Sequence, residues 1–110
     1  MADMSTDTIL SMLEKSLELI LDYMDDEAKA SKEEELMWYV NSSISYIERE
    51  GIILEDTVED QMLVSMYATW LYDKRKTTGS KYTSYYIQNM PRMLRYNLNN
   101  RLLSQKVKET

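Results

Sequence analysis

The sequence predicts an all-α domain: a small bundle of four helices, or five, with a long polar and aromatic loop before the last one. Three observations lead there. Leu, Met, Glu, Lys and Ala dominate the composition, and all are good helix formers. Two glycines (Gly51 and Gly79) and one proline (Pro91) are the only breakers in 110 residues, so few joints separate long helices. Apolar residues recur at three- and four-residue steps in separate stretches, the period of a helix that buries one face. At this length residues 1–110 form one domain with a modest core. The ends, 1–7 and 105–110, are expected to be flexible.

The first helix is expected from Thr8 to Met24, capped by Ser5, Thr6 or Asp7, with Ile9, Leu13, Leu17, Ile20 and Met24 as its stripe. Asp25–Ser31 reads as a polar connection. The second helix is expected from Ser31 to Glu50, because Ser31 and Glu34 have the spacing of a capping box. Its stripe is Met37, Val40, Ile44 and Ile47, flanked by Leu36, and Gly51 follows where a left-handed C-terminal cap belongs.

The third helix is expected from Asp56 to Lys76. Glu55, Asp56, Glu59 and Asp60 at its start and Lys74, Arg75 and Lys76 at its end both complement the helix dipole. Between Val58 and Tyr72 apolar residues wrap most of its circumference, so it should be the central helix. Thr77–Met90 shows no stripe and reads as a loop. The last helix starts at Pro91, a good first helical residue, with the stripe Met90, Leu94, Leu98 and Leu102, and frays from Ser104 to Thr110.

Neither Cys nor His occurs. Disulfides and thiolate metal sites are therefore excluded, and the commonest general base and transition-metal ligand is missing. The carboxylates come in runs (Asp25–Glu27, Glu33–Glu35, Glu55–Asp60), and neighbours on a helix point in different directions. The alternating ligands and central Gly of a calcium loop are absent, and two isolated glycines cannot cradle a phosphate. Ser42, Ser43 and Ser45 lie in a helix with no base to activate them. The expectation is no enzyme, no metal and no cofactor. No run approaches the roughly 18 apolar residues of a membrane helix. The acidic, polar start MADMSTDT does not resemble a signal peptide, so the product is expected to stay in the cell that makes it.

The net charge of −6 is unevenly divided. Residues 1–60 hold 17 acids and 4 bases, whereas residues 61–110 hold 2 acids and 9 bases. Dipole matching and solvated faces explain part of this division, and the remainder suits a bipolar subunit that meets copies of itself. Arg92, Arg95 and Asn99 share one face of the last helix, with Lys81, Tyr82, Tyr85, Tyr86 and Tyr96 nearby. Bases among aromatics can grip single-stranded nucleic acid. A small regulatory nucleic-acid binder is therefore the second reading, although the whole domain is acidic. Arg and Tyr are also enriched at protein interfaces. Trp38, Tyr39 and Tyr46 lie off the second helix's stripe, and Tyr96 and Leu103 stand opposite the last helix's. Together with Tyr82, Tyr85, Tyr86, Arg92 and Arg95, these aromatics are the candidate protein-interface residues.

Three stretches complete the reading. Ser43–Glu48 (SISYIE) ends one helix, Tyr67–Lys76 (YATWLYDKRK) ends the next with Tyr72 and Arg75 in a Tyr-x-x-Arg pattern, and Met90–Asn99 (MPRMLRYNLN) opens the last at Pro91. In this order and spacing, over roughly 8–104, the chain resembles the head–tail connector, or head-completion adaptor, proteins of tailed phages and prophages. The resemblance implies a helical virion subunit without catalysis. It implies a ring homo-oligomer, a dodecamer when assembled, beneath the portal protein, through which DNA passes without specific binding and on which the next connector or tail protein docks. It implies a place at the head–tail junction of the virion, away from any membrane, and a structural role for Tyr72 and Arg75 at the end of the third helix.

Overall fold

The computed structural model describes residues 4–17, 24–77 and 90–109, with the backbone alone for 75–77 and 106–109. Among the described residues there are four helices and no strands: α1 (Thr6–Ser16), α2 (Asp26–Arg49), α3 (Val58–Thr77) and α4 (Arg92–Glu109). α3 is the hub, as its all-round apolar surface requires. α1 and α2 pack on it and on each other, and α4 packs on it from a further side. Leu63, Val64, Tyr67 and Ala68 of α3 meet Ile9 and Leu13 of α1, Leu36, Val40 and Ile47 of α2, and Leu94 and Leu98 of α4 in one core. The expected stripes of α1 and α4 thus supply their buried residues.

The α1–α2 region departs from expectation. α1 ends at Ser16 and Leu17 closes it; residues 18–23, Ile20 among them, lie outside the described residues. Met24 is exposed and precedes the true cap of the next helix. That cap is Asp25, in extended conformation, whose carboxylate accepts the Ala28 N–H at 2.7 Å. Asp26 and Glu27 follow in the first turn, where negative charge is favoured. The presumed polar connection Asp25–Ser31 is therefore the start of α2, and Ser31 sits inside the helix instead of capping it. Asp25 wins because it caps a run of good helix formers that begins six residues earlier.

Near both chain ends the described residues make defined contacts. Met4 packs against the core. The Ser5 N–H and hydroxyl both donate to the Asp56 carboxylate, which also accepts from Gln61 Nε2. These bonds tie the start of α1 to the start of α3 and leave Ser5 making no side-chain cap. They also hold the Asp56 carboxyl below the ordinary carboxylate range, the Ser5 hydroxyl contributing most. At the other end α4 continues to Glu109. Gln105 accepts from the Ile53 N–H and donates to the Gly51 carbonyl, clamping α4 to the α2–α3 connection.

The α2–α3 connection is part of the core. Gly51 closes α2 with φ +97°, a left-handed value that glycine adopts without penalty. Beyond it Ile52 and Leu54 are buried and Ile53 is exposed, the alternation of an extended segment. Thr57 Oγ1 then accepts the Asp60 N–H and caps α3. Of the expected loop Thr77–Met90, residues 78–89 lie outside the described residues; Thr77 is the last residue of α3 and Met90 packs against the core. Pro91 stands at the mouth of α4, its carbonyl accepting the Arg95 N–H.

Replacing Asp25 by Ala should cost about 1 kcal/mol in urea denaturation, the usual loss for an N-cap, whereas Ser31→Ala should stay within about 0.5 kcal/mol of the parent.

Candidate protein-interaction surface

The candidate interface residues separate into three groups. Trp38 is the first: it projects from α2 61% exposed, touching Tyr39 edge-on at 5.0 Å between ring centroids. Tyr96 of α4 is 63% exposed, and Arg92 is exposed beside the α4 N-terminus. These three are available to a partner.

The second group is engaged within the chain. Tyr39 was expected on the surface but is 2% exposed. It packs on the Tyr72 ring of α3 at 5.6 Å. The buried arc of α2 runs through Leu36, Tyr39, Val40, Ser43 and Ile47; Leu36, Val40 and Ile47 were expected there, Met37 and Ile44 pack half-buried beside it, and Tyr39 and Ser43 are the additions. A serine disguises this arc. Ser43 is buried because its hydroxyl donates to the Tyr39 carbonyl one turn back at 2.7 Å, so its polarity costs little. Tyr46 stacks on Tyr67 at 6.1 Å, under the Arg49 guanidinium at 5.5 Å, and remains partly exposed. Burial, more than the nearby Glu50 charge, raises the pKa of the Tyr67 phenol. Arg95 is committed to Glu50 in a two-pronged pair at 2.6 and 3.1 Å. Tyr72 accepts from Lys32 Nζ at 2.8 Å, which raises the Lys32 pKa and fastens α3 to α2.

The third group, Tyr82, Tyr85 and Tyr86, lies outside the described residues, as does the Arg75 side chain.

One buried ion pair, Asp60 with Arg101, orients this surface and has no local signal in the sequence. Asp60, on the first turn of α3, is 2% exposed. Its carboxylate accepts from Arg101 Nε at 2.7 Å, from Arg101 Nη2 at 3.1 Å and from the Glu55 N–H at 2.7 Å. Arg101 Nη2 also donates to the Ile53 carbonyl. The hydrogen bond to Asp60 raises the Arg101 pKa despite burial. The acidic run Glu55–Asp60 is thus a solvated face with one buried exception.

Two open grooves flank the α3–α4 seam. One, of about 380 Å³, has Met62, Met66, Asn97 and Asn100 on its walls. The other, of about 290 Å³, shares Met66 and adds Trp70 and Met93. Met62 and Met93 are exposed, as are Val58 and Leu103. Of these only Leu103 stood out beforehand as lying off its helix stripe. Exposure of Val58 and Met62 on α3 could not be read from an all-round apolar helix. Among the described residues no three acidic side chains gather as a metal site, and no helix is long and apolar enough to cross a membrane. The surface offers apolar contact and charge.

Arg101→Met should lower stability by about 3 kcal/mol, because it strands a buried carboxylate. Arg95→Met removes a half-exposed pair and should cost about 1 kcal/mol or less. Urea titrations of the two variants, compared with the parent chain, measure both losses.

No protein-family model, curated protein or solved structure matches this chain.

Proposed function

We propose that this chain is a structural assembly subunit, a head–tail connector of a tailed phage that forms a ring beneath the portal and docks the next connector or tail protein. The observation that carries the reading is the distribution of large apolar side chains left in water. Trp38 on α2, Val58 and Met62 on α3, and Met93, Tyr96 and Leu103 on α4 are each more than half exposed. They sit on three helices. Apolar surface of this kind marks docking sites where it is contiguous, and a ring subunit needs two different ones, because each copy meets one neighbour with one patch and the next with another. The order of the SISYIE, YATWLYDKRK and MPRMLRYNLN stretches supports the same reading.

Electrostatics agree with it. A net charge of −6 opposes the accumulation of DNA phosphates on the chain as a whole, which suits a ring through which DNA slides. The alternative, nucleic-acid binding through the last helix, is weakened because Arg95 and Arg101 are occupied by Glu50 and Asp60 of the same chain. No such internal commitment removes the apolar patches.

Imaging of virions carrying a tagged copy tests the proposal. The expected result is density for the tag in a ring between portal and tail. A chain absent from virions that instead shifts DNA in gels, tightly and with strong salt sensitivity, would establish the alternative.

A further inference from the structure

α2 and α4 each leave one stripe of side chains in water. On α2 it runs through Glu34, Trp38, Asn41 and Ser45, and on α4 through Arg92, Tyr96, Asn99 and Leu103. All eight residues are exposed. Both stripes advance by four, three and four residues, the spacing that keeps one face of a helix turned toward a neighbouring helix.

Laid side by side in the same direction, the stripes match position by position. Glu34 meets Arg92, Trp38 meets Tyr96, Asn41 meets Asn99 and Ser45 meets Leu103. The first match joins opposite charges. The second joins two aromatic rings, which attract beyond their area of contact. The third joins two amides, each able to donate and accept, and a polar pair of this kind fixes the register of paired helices. Reversing one helix sets Glu34 against Leu103, Trp38 against Asn99 and Arg92 against Ser45, and all three matches are lost.

Neither charge is used inside the chain. Glu34 and Arg92 enter no ion pair among the described residues, whereas Glu50, Arg95, Asp60 and Arg101 all do. Arg92 also opens α4, whose first turn holds no acidic residue. A helix N-terminus is itself positive, so a guanidinium there is poorly placed and an arriving carboxylate offsets both charges. The α3–α4 grooves carry Glu59, Asp60 and Asp73, but the α4 stripe carries no acid. Because both stripes face water in one copy, their match is realised only between two copies.

We propose that the Arg92–Leu103 stripe of α4 in one copy packs in parallel on the Glu34–Ser45 stripe of α2 in the next copy, with Asn41 facing Asn99. The contact joins unlike surfaces, so each copy keeps a free α2 stripe on one side and a free α4 stripe on the other until a ring closes. The proposal rests on the assembly reading above and specifies its contact.

The absence of native cysteine makes the test direct. One preparation carries Asn41→Cys and a second Asn99→Cys. The two are mixed in equal amounts and allowed to form disulfides in a glutathione buffer. The expected result is a mixed dimer more abundant than the two like dimers combined, the level that random collision gives. Moving the second cysteine to Asn100→Cys, exposed but turned to the groove side of α4, should give only that random level. Adding Arg92→Glu to the Asn99→Cys chain should lower the mixed yield, and adding Glu34→Arg to the Asn41→Cys chain as well should restore it, while circular dichroism confirms that the helices persist. Random yields in the first mixture, or no rescue by the second charge reversal, overturn this contact. If the parent chain is nevertheless found in the ring beneath the portal, the assembly reading stands and the copies meet elsewhere. If the chain is absent from virions while the mixed dimer dominates and the rescue holds, the contact stands and the assembly is of another kind.

Discussion

The orientation of α4 depends on one buried ion pair. Asp60 is removed from water at the start of α3, a costly place for a carboxylate unless its oxygens are filled. Arg101 fills them with two N–H groups and the Glu55 backbone supplies a third. The same guanidinium reaches the Ile53 carbonyl, and Gln105, one turn on, takes the Ile53 N–H and gives to the Gly51 carbonyl. Two side chains of α4 thereby satisfy the backbone of the extended α2–α3 connection, which has no sheet partner among the described residues. Leucine packing alone would let α4 slide or roll on α3. Directed hydrogen bonds at Asp60, Gly51 and Ile53 select one register, and that register leaves Met93, Tyr96 and Leu103 facing outward.

The interaction surface is a consequence of this arrangement. α3 is apolar nearly all round, but α1, α2 and α4 cover only part of it, leaving Val58 and Met62 in water. Charged residues would serve at these positions if solubility were the only demand. Their absence, on the helix that organises the fold, is what a subunit needs when other chains finish covering it. Assigning that role to a phage connector ring remains our proposal, carried by the motif order and by patches on separate helices.

Much of the helical plan was legible because helix stripes and breakers are local. Leu94 and Leu98, Ile9 and Leu13, and the left-handed Gly51 occupy the places their spacing implied. What was hidden involved polar atoms that find partners only in three dimensions. Ser43 turns a buried arc into an apparently polar one and displaced Tyr39 to the wrong face. Asp60 is indistinguishable from Glu59 in an acidic run until Arg101, 41 residues later, is seen against it. The start of α2 was misplaced because two capping signals, Asp25 and Ser31–Glu34, competed within one segment, and only packing and helix propensity decide between them. Among the interface candidates, Trp38 and Tyr96 lie on the surface, whereas Tyr39 serves the core and Arg95 an internal ion pair.

The central claim is that the apolar side chains left in water by the isolated fold are covered by other protein chains in the assembled state. Hydroxyl-radical footprinting measures it directly at Trp38, Met62 and Met93, three readily oxidised residues whose exposure is already large. The account predicts fast oxidation of all three in the free chain and strong protection in assembled particles. Equal oxidation rates in the two states would contradict it.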